Sequence, residues 1–220
     1  MMDFDIQAIL HTLSIWAVPV LLAITLHEAA HGYVAKLFGD RTAEMLGRVT
    51  LNPIKHVDPL GTFALPVGLL LLGAPFLFGY ARPVPVNFRN LSHQTWGQIC
   101  VAFAGPAMNI LLALFSVLLA YIAMYDPLGY GQALFSMAIA SIKVNVVLAV
   151  FNMIPLLPLD GGRILYALLP GPMAYQFEKT ERYGFIIILI LLFTGVLWQI
   201  IGPVIQVCVR ALVSMLPIVG

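Results

Sequence analysis

His27 and His31 stand four residues apart inside a long apolar run, and Glu28 sits beside the first. On a helix, positions i and i+4 lie about 40° apart, so both imidazoles reach one metal ion. A Glu next to the first histidine of such a pair is placed to act as general base on a water that the metal activates. Ionisable groups within a membrane span are costly and rare, so three of them at positions 27, 28 and 31 require an explanation. Catalytic zinc takes three protein donors and keeps a further position for water. Asp160, in Leu159-Asp160-Gly161-Gly162-Arg163, completes a His-His-carboxylate set. His27, His31 and Asp160 are therefore the candidate ligands of one zinc per chain, and Glu28 is the candidate catalytic base.

The rest of the chain must hold these groups in a bilayer. Its 220 residues are 61 % hydrophobic and 10 % charged, with a mean hydropathy of +0.97. Soluble domains carry about 25 % charged residues. Several apolar runs reach the roughly 20 residues that cross a bilayer. A net charge of +1 gives no basic field and no case for nucleic acid. Cys100 and Cys208 share no ligand spacing, which argues against a disulfide and against a cysteine zinc site. The start, Met-Met-Asp-Phe-Asp, lacks the basic segment of a signal peptide, so the first apolar run is expected to remain as a span.

These features predict an all-α polytopic membrane protein with about four to six transmembrane helices, in one membrane-embedded unit over 1–220. Its catalytic core is expected over about 13–170 and its C-terminal helices over about 184–217. Spans are expected over 13–38, 96–125 and 133–157. The last apolar region is expected to break at Gly202-Pro203, as one kinked span or as a span with a short returning helix. Residues 47–53 and 81–90 mix β-branched residues, turn formers and prolines, and read as short strand-like or extended pieces. Two prolines, Pro155 and Pro158, unwind the chain before Asp160, and Gly161-Gly162 is read as the reversal that aims it inward.

Two arguments fix the crossing of residues 60–80. The loops holding Arg41, Arg48 and Lys55, then Arg82 and Arg89, then Arg163, Lys179 and Arg182 are basic, which puts all three on the cytoplasmic side. His27 and His31 lie toward the end of the first span and Asp160 follows the third, so sharing an ion demands an even number of crossings between them. Both arguments make 60–80 a re-entrant segment, and the basic loops put the site near the cytoplasmic face.

The H-E-A-A-H of residues 27–31, together with N-M-I-P-L-L-P-L-D-G-G-R at 152–163, resembles the signatures of the site-2 protease family of intramembrane zinc metalloproteases. G-R-V-T-L-N-P at 47–53 and A-R-P-V-P-V-N at 81–87 resemble its compact prokaryotic branch, which lives in the cell membrane. The resemblance covers about residues 15–170. It implies His27, His31 and Asp160 as zinc ligands, Glu28 as base, and Asn152 as the group that steadies the oxyanion. It implies regulated intramembrane proteolysis of a transmembrane-helix substrate. Gly105-Pro106 and Asn109 resemble a further family pattern, read as helix packing near the site. The 220 residues leave no room for the PDZ or CBS domain of many relatives.

Other polar residues read as structural. Asn145 serves either the site or interhelical packing, Lys143 reaches an interface or a partner, and His11, His56, Asp58 and His93 cap or sit at an interface. The competing readings are a zinc-binding carrier and a non-catalytic scaffold for transmembrane helices. A carrier is expected to line a pathway with ligands and to show repeat symmetry, and the sequence has neither.

Overall fold

The computed structural model describes residues 6–65, 68, 79, 81–125 and 129–217. Four of its helices are long and apolar enough to cross a bilayer. They are α1 (Ile6–Leu37), α3 (Gln94–Met124), α4 (Gly131–Asn152) and α8 (Val196–Val213). Among the described residues, four shorter α-helices lie between them: α2 (Thr42–Met45), α5 (Asp160–Leu168), α6 (Gly171–Glu178) and α7 (Glu181–Phe193).

Helix α3 is central and packs against α1, α4 and α5. Its buried face is built from small residues, among them Gly97, Ala102, Gly105, Ala113, Ser116 and Ala120. The buried face of α4 adds Ala138, Ala140 and Ala149. In a bilayer no hydrophobic force drives helices together, so close backbone approach over small side chains supplies the contact.

The order of contacts gives the course of the chain. Ser92 N–H donates to the Phe38 carbonyl at 2.7 Å, joining the end of α1 to the start of α3. The Arg82 amide donates to the His56 carbonyl at 2.9 Å, so the chain leaves at His56 and returns at Arg82 to the same face. The re-entrant hairpin expected over 60–80 lies largely outside the described residues. Its first turn, Pro59–Ala64, is capped by Asp58, which accepts from the amides of Leu60 (2.9 Å) and Gly61 (2.8 Å).

Four expectations need correction, the last of them at the C-terminal break. Residues 47–53 and 81–87 are non-helical up to Pro53, but neither pairs in a ladder among the described residues. The first is a series of bends, and the second is an extended strap over 81–87 that ends in a helical turn at Phe88–Asn90. Pro83 and Pro85 remove the amides a ladder needs. Gly161 and Gly162 do not make the reversal. They form the first turn of α5, and residues 153–159 turn the chain instead. A Cβ at Gly161 would overlap the Met153 carbonyl, so the glycines let α5 fold back onto that turn. The third span ends at Asn152 rather than 157.

The C-terminal break falls at Gly195, whose φ of 73° favours glycine, while Pro203 lies inside α8. Ile188 and Leu192 of α7 cluster with Leu197 and Ile201 of α8 against Phe151, Leu156 and Leu159, at the level of the site. Further along α8, Cys208 and Leu212 pack with Ala113 and Ile142, and Leu216 then meets Ala120 and Ala138. Helix α8 therefore crosses alone, antiparallel to α4. The 13 residues of α7 span about 20 Å, short of the ~30 Å hydrocarbon core.

Asp40 locks the end of α1 to the strap. Its carboxylate is fully buried and accepts from Thr42 N, Thr42 Oγ1, Asn90 Nδ2 and, at 2.7 Å, Asn87 N. Burial alone would raise its pKa. The donors of Thr42, Asn87 and Asn90 outweigh burial and hold it below the ordinary aspartate value. A depressed carboxyl contributes stability above about pH 4 that is lost as pH falls through the folded value. Asp40→Asn points an NH2 at these donors and is expected to lower stability by about 1–3 kcal/mol. Thermal unfolding in detergent at pH 7 and pH 3 checks this: the variant's deficit is smaller at the lower pH.

Candidate active site

Glu28 and the two histidines come from α1, and Asp160 comes from the first turn of α5. The structure brings His27, His31 and Asp160 together. His27 Nε2 lies 3.1 Å from His31 Nε2 and 3.3 Å from Asp160 Oδ2, and His31 Nε2 lies 3.4 Å from Asp160 Oδ1. Donor atoms bonded at 2.0–2.1 Å in a tetrahedral zinc site stand about 3.3 Å from one another. Among the described residues this is the only such group of His, Cys, Asp or Glu.

The hydrogen bonds of the rings fix which nitrogen is bare. His31 Nδ1 faces the Val101 carbonyl at 2.7 Å, and a carbonyl only accepts. His27 Nδ1 faces Asn109 Oδ1 at 2.6 Å. The Asn109 amide is itself oriented, because Nδ2 donates to the Ala23 carbonyl (3.3 Å) and to Asn145 Oδ1 (2.8 Å). Both Nδ1 atoms therefore carry the proton, and each neutral ring turns the lone pair of Nε2 inward. Two lone pairs and a carboxylate then converge without a proton to share. Asp160 Oδ2 is buried with no hydrogen-bond partner. Such a set is incomplete without a cation, and its two imidazoles and carboxylate suit zinc.

Asn109 and Asn145 were not separable from packing residues in the sequence, and the structure gives both a part. Asn145 Nδ2 donates to the Ser141 carbonyl (2.9 Å), extending the support of His27 into α4. The available signal was an Asn eight residues after Val101 and four after Gly105, which places all three on one face of α3. Gly105 itself touches the site. A Cβ there would lie 2.5 Å from His27 Cε1 and from His31 Nε2.

Glu28 Oε2 accepts from the Val84 amide at 2.7 Å, which leaves the other carboxylate oxygen for proton transfer. Asn152 ends α4, and its Nδ2 donates back to the Leu148 carbonyl at 3.0 Å. Glu28, Asn152 and the three candidate ligands all line one cavity of about 720 Å³. Its apolar wall includes Ile24, Val84, Phe151 and Phe185, and the Arg163–Glu181 ion pair closes one side. The remaining polar residues stand apart. Lys143 lies exposed on α4, His93 precedes α3 with a φ of 57°, and buried His56 bonds the Thr50 carbonyl at 3.0 Å. Cys100 and Cys208 are free thiols, as expected.

A four-span helical bundle with an inward-facing His-His-carboxylate group beside a Glu is the architecture of a membrane metallopeptidase. The model of Peptidase family M50 matches residues 15–137 and 128–195. The chain belongs to that family, the site-2 protease family of zinc metalloproteases. It is similar to "Putative zinc metalloprotease YwhC" of Bacillus subtilis (strain 168), with 39 % identity over 84 % of each chain. It is 32 % identical to "Putative zinc metalloprotease Rip2" of Mycolicibacterium smegmatis over 80 % of this chain and 66 % of the relative. "Zinc metalloprotease MJ0392" of Methanocaldococcus jannaschii is 25 % identical over 83 % of this chain, which covers 44 % of that protein. No solved structure matches the chain.

Proposed function

We propose that this protein is an intramembrane zinc endopeptidase of the HExxH type, which hydrolyses a peptide bond within or beside a transmembrane helix of its substrate. The observation that carries the reading is the convergence of His27, His31 and Asp160 with Glu28 on one cavity. His27 Nε2, His31 Nε2 and one Asp160 oxygen hold one zinc. When bound, zinc supplies Lewis acidity to water and to the scissile carbonyl. Glu28 takes the proton of the attacking water and delivers it to the leaving amine. Asn152 swings its amide from Leu148 to the carbonyl oxygen as that atom gains charge. A helical substrate hides its carbonyls in internal hydrogen bonds, so it enters the cavity locally unwound, against the extended strap 81–87.

We place the site at the cytoplasmic face of the cell membrane. Arg163 lines the cavity, and Arg48 and Arg82 meet at the strap whose Val84 bonds Glu28, on the side of the bundle where α1 ends and α3 begins, and basic residues mark that side. The substrate fitting this reading is a protein with a transmembrane helix, cut in regulated intramembrane proteolysis. Glu28→Gln, assayed for zinc and for cleavage of a transmembrane peptide, tests the reading. Zinc retained with cleavage abolished supports it, and cleavage retained refutes it.

A further inference from the structure

We propose that Arg48 is a positioning residue for the reaction, acting through one peptide group of the strap to aim the Glu28 carboxylate. The inference rests on Glu28 being the base. The strap reads Arg82-Pro83-Val84-Pro85. Pro83 and Pro85 have no amide hydrogen, and each holds the residue before it extended. The Arg82 amide is spent on the His56 carbonyl. Val84 therefore has the one backbone donor left in this stretch, and it goes to Glu28.

The same peptide unit is held from its other side. The Arg48 guanidinium donates through Nη2 to the Arg82 carbonyl at 2.6 Å and to the Pro83 carbonyl at 3.3 Å. The Pro83 carbonyl and the Val84 amide belong to one rigid plane. Arg48 and Glu28 thus grip opposite edges of a single peptide group, and a cation on the carbonyl strengthens the N–H as a donor. Arg48 is only 8 % exposed, and its Nε is buried without a partner. A guanidinium so deeply desolvated is costly unless its charge is used. Burial, then Arg82, lowers its pKa, and the charge of Glu28 opposes both, so the two groups feel each other across the strap. The strap also seats against α1 at Gly32, where a Cβ would come within 3.0 Å of Val84 Cγ1.

The test uses the full chain in detergent, loaded with zinc, as wild type, Arg48→Gln, Arg48→Lys and Glu28→Gln. The probe is a quenched-fluorescent synthetic peptide carrying one transmembrane helix broken by Asn-Pro. Zinc per chain, kcat and KM are measured, together with the exchange rate of the Val84 amide without peptide. Arg48→Gln is expected to keep zinc, to hold KM within about twofold and to lower kcat by about 10–100-fold. Its Val84 amide is expected to exchange about tenfold faster. Arg48→Lys, one ammonium in place of the fork, is expected to recover part of kcat, and it decides the matter if the Gln variant does not fold. Unchanged kcat and exchange beside an inactive Glu28→Gln overturn the proposal alone. A loss confined to KM overturns it in favour of substrate binding by the strap, and a loss of zinc overturns it in favour of a purely structural role. No cleavage by wild type, or cleavage by Glu28→Gln, overturns the base assignment and this proposal with it.

Discussion

Glu28→Gln is expected to keep its zinc and to lose about 10²–10⁴-fold in kcat. The two halves of this result have separate causes. Zinc is retained because Glu28 is not one of the three converging donors, and because a Gln of the same shape still offers an oxygen to the Val84 amide at its present position. Catalysis is lost because a carboxamide cannot take the proton of the attacking water. A factor of 10²–10⁴ corresponds to about 3–5 kcal/mol of transition-state stabilisation. That exceeds what one altered surface contact supplies, so the loss is not attributable to a minor packing change. Zinc analysis and peptide cleavage on the same purified sample check both halves. Zinc lost along with activity would move Glu28 from base to ligand.

Gly105→Ala is expected to cost about 10–100-fold in zinc affinity while the helical fold survives. Alanine suits a helix better than glycine, so α3 itself gains. The added methyl carbon, however, falls 2.5 Å from His31 Nε2 and 2.6 Å from His27 Nε2, the atoms that face the metal. The rings cannot simply withdraw. Val101 and Asn109 hold their Nδ1 atoms from positions four residues before and four after Gly105, on the same helix. Moving α3 away breaks both hydrogen bonds, and leaving it in place pushes the rings off their ligand geometry. Overpacking of this kind costs about 1–3 kcal/mol. Gly202→Ala is the control, since nothing lies within 4 Å of a Cβ there. Equal zinc affinity in the two variants would show that the imidazoles are not as closely backed as the structure has them.

The His-x-x-x-His spacing, the adjacent Glu and the aspartate behind two prolines were legible because each is a rare residue type in an apolar setting, where its cost demands a use. The crossing argument was legible because one ion admits only one parity of spans, and the His56–Arg82 contact agrees with it. What could not be read was backbone chemistry. The Val101 carbonyl that orients His31 has no side-chain signature. Asn109 looked like any interhelical amide until Ala23 and Asn145 fixed its orientation. Gly161-Gly162 and Gly202-Pro203 misled for one shared reason: glycine marks either a turn or a close approach, and spacing does not say which. At 161 and 162 the approach is to the 153–157 turn. At 195 the left-handed φ makes the break, and α8 continues through Pro203.

The central claim is that α1 and α5 together hold one zinc. It is tested most directly by the zinc content of the detergent-purified protein, wild type beside Asp160→Ala. The account predicts close to one zinc per wild-type chain and a large loss in the variant, because removing the carboxylate leaves two neutral imidazoles from α1 alone. Zinc absent from the wild type, or undiminished in Asp160→Ala, would contradict the three-donor site and the mechanism built on it.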